Sequence, residues 1–360
     1  MYQFIIVGGG PAGSIVSKYL AKSGKKVLLI QKNFNFKKPC GGGIRMDAFQ
    51  EFDIDTSLIR NVVNEIILET KKNKIEFDIT HIPLAVVDRV KFDEQLRQDS
   101  KNAGAIVLEA TVNNIIIKEK HVVVRTTNNK HKQEFLGEYL IAADGVMSTI
   151  RKKMRNEDVP RGLTNYCDIS SVHTTKCHFY FGSDLSHYAY GWRFPYEGGS
   201  DIGTAAPYKN KQYINNLLQF LNLKTQEKIK GYYIPQWEKP LFYENKIFYV
   251  GDAAGQVLPF TYEGIYYAMK SAKILSTVLI ENVDFSEYET RWNTLYLKKF
   301  TVLKKLQKLF LINDFMIELM IKVIKQPKVK EKVLLLWMDK YQFNLSLGFL
   351  FRVFKQVLKK

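Results

Sequence analysis

A glycine-rich run near the start, Gly8-Gly9-Gly10-Pro11-Ala12-Gly13, lies between an apolar β-type stretch at 4–7 and a helix-compatible stretch at 11–23. In a G-x-G-x-x-G pattern each glycine has a physical task. Gly8 permits a tight turn. Gly10 has no side chain to block a pyrophosphate. Gly13 lets the following helix approach the strand, and that helix points the positive end of its dipole at the phosphates. The chemistry implied is dinucleotide binding.

Two aspartates extend the site. Asp144 follows the apolar stretch 139–143, and Asp252 follows 247–250 with one glycine between. A carboxylate just beyond a buried strand can accept hydrogen bonds from a bound polyol. The acid expected at the end of the second strand is absent, and Gln31 stands there instead. Its amide can still bond ribose hydroxyls, without a charge. Cys40 sits in Lys38-Pro39-Cys40-Gly41-Gly42-Gly43. Two readings of it stay open: a reactive thiol or proton donor, and a small residue fitting a tight turn. Tyr190 is the other candidate proton donor.

These residues need a scaffold. Residues 4–7, the glycine run, 11–23 and 27–30 spell a β-turn-α-β unit, with Gly24 ending the helix. Residues 75–87 read as extended, 92–103 as a helix stopped by Gly104, and 106–108, 113–117, 122–126 and 139–143 as strands. From 161 to 240 aromatics interleave with Gly, Ser and Thr (Phe179, Tyr180, Phe181, Tyr188, Tyr190, Trp192, Phe194), which suits an antiparallel sheet. These aromatics either line an apolar channel or form the core face of that sheet. A buried strand at 247–250 and a helix at 264–279 come next. The expected fold is α/β: a Rossmann-type domain from 1–70, 85–160 and 241–285, an antiparallel-sheet domain from 71–84 and 161–240, and a helical tail from 286–360.

The order of the motifs around Gly10, Asp144 and Asp252, with Asp88-Arg89-Val90-Lys91-Phe92-Asp93 between the first two, resembles the FAD-dependent enzymes of the p-hydroxybenzoate-hydroxylase type. The Cys40 loop, Tyr190-Gly191-Trp192-Arg193-Phe194-Pro195 and the stretch from Gly251 to Met269 are similar to motifs of the geranylgeranyl reductase family. The resemblance spans about residues 3–275. It implies FAD held at the pyrophosphate by Gly8, Gly10 and Gly13, with Ala12 in the same loop. It implies Gln31 at the ribose, Arg89 at the phosphate-ribityl region, and Val112 offering backbone to the adenine. Cys40, Gly41 and Gly42 are implied near the flavin, Asp252 at ribityl or phosphate-linked groups, and Gly264 and Ile265 against the isoalloxazine. The implied activity is reduction of C=C bonds in an isoprenoid chain on a lipid or quinone. The rival is a monooxygenase or halogenase acting on an aromatic substrate, which shares the fold. No second G-x-G-x-x-G is present, so electrons are expected from a docked NAD(P)H or a reduced protein donor.

Composition narrows the class. A hydrophobic fraction of 46% excludes a disordered chain, and three cysteines without a CxxC pair argue against a disulfide framework and a structural zinc. Scattered histidines suggest no metal site. The net charge of +17 is concentrated at the end: 14 Lys and two Arg against two Asp and two Glu lie between Arg291 and Lys360. An apolar stripe runs through this tail at Leu303, Leu306, Phe310, Phe315, Leu319 and Val323. Basic and amphipathic together, it is expected to rest on an anionic membrane. Charges inside the stripe disfavour a spanning helix, and nucleic acid is not expected. The first residues do not read as a signal peptide. The expected location is cytoplasmic, on the inner face of the membrane.

Overall fold

The computed structural model describes residues 1–128, 131–187, 189–196, 198–205 and 211–338. Tyr188 and the last stretch of the tail, 339–360, lie outside the described residues. In chain order, β1 (Tyr2–Val7), α1 (Pro11–Lys22) and β2 (Val27–Gln31) come first. Next are β3 (Gly43–Arg45), α2 (Asp47–Glu51), β4 (Ile59–Val63), β5 (Glu65–Glu69), β6 (Lys74–Asp78) and β7 (Leu84–Val87). Helix α3 (Arg89–Asn102) leads into β8 (Ile106–Glu109), β9 (Thr111–Ile117), β10 (Val122–Asn128), β11 (His131–Ala142) and α4 (Thr149–Arg155). Strands β12 (Arg161–Ile169), β13 (Cys177–Tyr180), β14 (Gly191–Tyr196) and β15 (Gly199–Ala205) precede α5 (Gln212–Phe220). The chain closes with β16 (Lys230–Pro235), β17 (Tyr243–Glu244), β18 (Ile247–Tyr249), α6 (Ile265–Glu281), α7 (Ser286–Phe310), α8 (Asp314–Ile324) and α9 (Pro327–Trp337).

The first sheet has the order β17-β18-β11-β1-β2-β8, with β10 and β9 folding back beside β11. Strand β1 pairs in parallel with β11 on one side and β2 on the other. A strand covered on both faces must be apolar at successive positions, and Phe4 to Val7 are all buried. Helix α1 starts with Pro11, whose missing N–H costs nothing at that position. The two close approaches expected of the glycine run are present. A Cβ at Gly8, where φ is +106°, would lie 2.2 Å from the Ala143 carbonyl oxygen, and one at Gly13 would lie 1.8 Å from that of Gly8. Helix α3 begins at Arg89, earlier than expected, because the Asp88 carboxylate caps it at the N–H groups of Val90 and Lys91.

The second sheet has the order β16-β12-β15-β14-β13-β5-β6 and is antiparallel except at the β13–β5 pair. The extended stretch 75–87 divides: β6 joins this sheet, and β7 joins a small sheet, β3-β7-β4. A boundary at residue 70 cuts between β5 and β6, which pair with each other, so β5 belongs with the second sheet. The aromatic face of this sheet packs on the tail. Phe181 meets Phe310 with ring centroids 5.1 Å apart, and Phe179 meets Trp337 at 5.4 Å.

The tail corrects the expectation of a membrane-facing stripe. Leu303, Phe310, Leu319 and Val323 are buried in the protein's own core, and Leu306 is half-buried. Only Phe315 of the stripe stands out, 68% exposed. Helix α7 lies on α6, where Tyr267 meets Phe300 at 5.1 Å. A 3.6-residue apolar period satisfies a protein core as readily as a bilayer. Among the described residues, no helix is long and apolar enough to cross a membrane.

Candidate active site

The Gly8–Gly13 turn, the ends of β11 and β18, the Cys40 loop and the start of α6 converge on one side of the first sheet. A Cβ added at Gly10 would meet nothing within 4 Å, so the backbone there is open to a ligand. The first N–H groups of α1 have no carbonyl partner inside the helix. An anion fits this cradle.

Gln31 bonds within the protein. Its Oε1 accepts the Gly9 N–H at 2.7 Å and its Nε2 donates to the Asn33 carbonyl at 2.9 Å, so the amide ties the glycine turn to the end of β2. Arg97 braces the same turn, donating to the Gly9 carbonyl at 3.2 Å. Val112 lies in β9 opposite Thr126, beside a bulge in the β9–β10 pair. Asp144 accepts from Ser148 Oγ at 2.7 Å, from the Thr149 N–H at 2.8 Å and from the Ile150 N–H at 3.1 Å. Its carboxylate therefore holds the start of α4. Burial nevertheless pushes this carboxyl above its ordinary value, against those hydrogen bonds.

Asp252 is 7% exposed and ion-paired with Lys38. Burial works against the Lys38 ammonium, but the Asp252 carboxylate outweighs it and holds the lysine above its ordinary value. A Cβ at Gly264 would stand 3.0 Å from Asp252 Oδ1, so the helix bearing Ile265 begins against this carboxylate. Arg89 is buried and grips Asp93 with two hydrogen bonds of 3.1 and 2.9 Å. It also faces Cys40. Gly41 lies under the Phe194 ring, where a Cβ would come within 1.9 Å of a ring carbon. The Cys40 thiol is exposed, and its Sγ accepts the Gly42 N–H at 3.4 Å.

A cavity of about 140 Å³ lies among these parts, lined by Lys38, Cys40, Arg89, Tyr190, Asp252 and Ile265 among others. The structure thus brings Cys40, Gly41, Gly42, Arg89, Tyr190, Asp252, Gly264 and Ile265 to one wall. It does not bring Gln31, Val112 or Asp144 there. A second cavity of about 130 Å³ adjoins it and shares Phe179, Tyr190, Thr261 and Trp337. Its wall is hydrocarbon and aromatic apart from Tyr190, Thr261 and Lys332, and α7, α8 and α9 supply more than half of it. The Tyr190 hydroxyl donates to the Thr261 carbonyl, and burial, with Tyr262 and Glu263 nearby, pushes its phenol well above the ordinary value.

Sequence reasoning missed three residues of this site. Lys38 stood in a noted loop, but its partner is 214 positions away. Glu263 is half-buried and accepts the Trp337 indole N–H, tying α9 to the start of α6; desolvation pushes its carboxyl up. Asp201 lines the first cavity from β15. The signal for it was an acid inside Gly199–Ala205, a strand of otherwise small and apolar residues.

A glycine turn after the first strand, a cavity lined by the Cys40 loop, Arg89 and Asp252, and an apolar cavity adjoining it fit a flavin-dependent oxidoreductase. Residues 1–230 match the family model described as FAD binding domain. A geranylgeranyl diphosphate reductase of Rhodobacter capsulatus is 30% identical over 282 residues, covering 74% of this chain and 72% of that protein. A digeranylgeranylglycerophospholipid reductase of Methanocaldococcus jannaschii is 28% identical, covering 81% and 82%. The crystal structure of a geranylgeranyl bacteriochlorophyll reductase-like protein from Thermoplasma acidophilum superposes with a TM-score of 0.79 at 22% identity, covering 100% of this chain and 96% of that one. The chain belongs to the geranylgeranyl reductase family of FAD-dependent proteins.

Proposed function

We propose that this protein saturates C=C bonds in an isoprenoid chain carried by a lipid or a quinone, using FAD re-reduced by NAD(P)H or by a protein donor. The observation that carries the reading is the hydrocarbon-walled cavity adjoining the cavity at the flavin motifs. A polyisoprenoid has no polar group to recognise along its length, so only shape and exclusion of water can hold it. The first sheet then serves the cofactor, and the second sheet with the tail serves the chain.

Reduced FAD supplies the hydride. Gly8, Gly10, Ala12 and Gly13 would hold its pyrophosphate, and Asp252, Gly264 and Ile265 would meet the part nearer the ring. Phe179, Phe194 and Trp337, which line the cavity at the flavin motifs, would cover the double bond and exclude water. An isolated alkene is unactivated, so alignment must supply much of the barrier reduction.

The test uses the FAD-loaded protein, reduced anaerobically with dithionite and mixed with geranylgeranyl diphosphate or a prenylated glycerolipid. Products heavier by two hydrogens per bond, read by mass spectrometry, are expected. Oxygen-dependent hydroxylation or halogenation of an aromatic, with no gain of hydrogen on the prenyl chain, would overturn the reading.

Peripheral binding to the inner face of a membrane belongs to the same proposal. The contact is the corner between α7 and α8, where Ile312 is 59% and Phe315 68% exposed. The lysines of the tail add attraction to anionic lipid. Sedimentation with anionic vesicles is expected to weaken in Phe315→Glu; equal binding would move the contact elsewhere.

A further inference from the structure

We propose that Asp201 is the proton donor of the double-bond reduction and that Asp168 relays protons to it from solvent. This rests on the reductase reading above.

Asp201 on β15 stands directly opposite Asp168 on β12. As directly opposed residues of an antiparallel pair, they project their carboxyls from the same face of the sheet. Neighbouring carboxylates disfavour each other's charge. The partners of the two differ. Asp168 holds its Oδ2 against two lysine ammoniums, 3.5 Å from Lys37 and 3.4 Å from Lys230. Asp201 is 7% exposed, and its Oδ1 accepts the Trp192 indole N–H. Asp168 thus has two ammonium partners, while Asp201 has an indole N–H and little solvent. Burial pushes the Asp201 carboxyl far up from its ordinary value; the Trp192 bond works against this, and Asp168 adds to it.

The pair also sits in the right place. Asp201 lines both the cavity at the flavin motifs and an outer cleft of about 350 Å³ that holds Lys37, Arg60, Asp168 and Lys230. It is the carboxyl that lines both, together with the Cys40 thiol and the Tyr166 phenol. The other groups facing it are poorer donors. Burial pushes Tyr166 up to about 12, and it raises Tyr196 as well. Tyr190 has already committed its proton to the Thr261 carbonyl.

The step balances. One carbon of the double bond takes the hydride with its electron pair. The O–H bond of Asp201 breaks, and its proton joins the other carbon, using the former π electrons. The alkene gains two electrons, which a nicotinamide or protein donor restores to the flavin. The Asp201 carboxylate regains a proton through Asp168.

Asp201→Asn keeps the shape and the acceptor for Trp192. With dithionite-reduced, FAD-loaded protein and geranylgeranyl diphosphate, reduction is expected to fall by about 100-fold or more, with FAD affinity within about threefold of wild type. Asp201→Glu should recover part of the rate. In the wild type the rate should decline as pH rises through a single ionisation; a flat rate from about pH 6 to 9 would overturn the proposal whatever the variants do. A readout without turnover is thermal unfolding. Because the folded carboxyl is raised, its contribution to stability is present at low pH and is lost as pH rises through the raised value. Asp201→Asn should remove that slope, and an unchanged slope would count against the proposal. If wild type reduces the chain and Asp201→Asn does so within about threefold of it, the proposal alone falls. If wild type reduces no prenyl chain, the reductase reading falls and takes the proposal with it.

Discussion

Strands β11 and β18 lie side by side in parallel in one sheet, and each hands the chain to an aspartate. In sequence the two acids look alike. In the fold they differ. Asp144 turns back on its own segment and accepts hydrogen bonds from Ser148, Thr149 and Ile150. Asp252 reaches across to Lys38, which comes from a loop far away in the chain, and lines the cavity. The difference lies in how soon a helix begins after each strand. Helix α4 starts at Thr149, five residues beyond Asp144, and its unpaired N–H groups take the carboxylate. Asp252 lies in a short 3-10 turn, Gly251–Ala254, and the next helix waits until Ile265, which leaves this carboxylate for a partner outside its own segment. An aspartate after a buried strand is thus a binding group only when no helix N-terminus claims it first.

This contrast is open to direct test. The largest effect is expected from Asp252→Asn, which removes a charged hydrogen-bond acceptor from the cavity. A loss of roughly 1.5–3 kcal/mol, or about tenfold to hundredfold weaker FAD binding, should appear in a flavin fluorescence titration. Unchanged affinity would show that Asp252 serves only to neutralise Lys38. A smaller and opposite pattern is expected from Asp144→Ala. Losing the acceptor of the Thr149 and Ile150 N–H groups should lower unfolding stability by about 1 kcal/mol, read by denaturant unfolding. FAD affinity should stay within about threefold of wild type. If Asp144→Ala instead loses flavin as severely as Asp252→Asn, the two strand ends are equivalent and the distinction fails.

The smallest effect comes from a control outside this sheet edge. His178 on β13 has no hydrogen-bond partner at Nδ1, and burial, with Arg193 and lysines nearby, pushes its pKa down to about 4 from 6.5. The folded protein therefore keeps it neutral while the unfolded chain takes up a proton. Its contribution to stability is complete above about pH 6.5 and is lost as pH falls toward 4. His178→Phe should reduce the fall in Tm between about pH 7 and 4.5 by about 1–3 °C, without altering FAD affinity. A wild-type slope in the variant would assign the acid sensitivity to other groups.

Much of the first sheet was readable because its signals are local. The glycine turn, Pro11, the apolar runs of β1, β2 and β18 and the helix stop at Gly24 each act within a few residues, and the backbone obeys them wherever the chain goes. The motif around Asp252 was readable for the same reason. Gln31 was placed correctly at the end of β2, but not its bond to Gly9, since that depends on how closely the turn folds over the strand.

The sequence by itself determined the α/β class, the nucleotide-binding turn, the aromatic second sheet and the apolar period of the tail. Tertiary structure decided what those aromatics and that period were for. A helical stripe fixes only that one face must leave water. The contacts of Phe181 with Phe310 and of Phe179 with Trp337 turned that face inward, where it walls a cavity. Likewise an aspartate in a strand fixes only a carboxyl on one face. Asp201 gained a carboxyl neighbour because β12 brought Asp168 opposite it, and Asp252 an ion pair because the Cys40 loop brought Lys38. Burial and partners set the chemistry of such groups, and both arise only when distant segments meet.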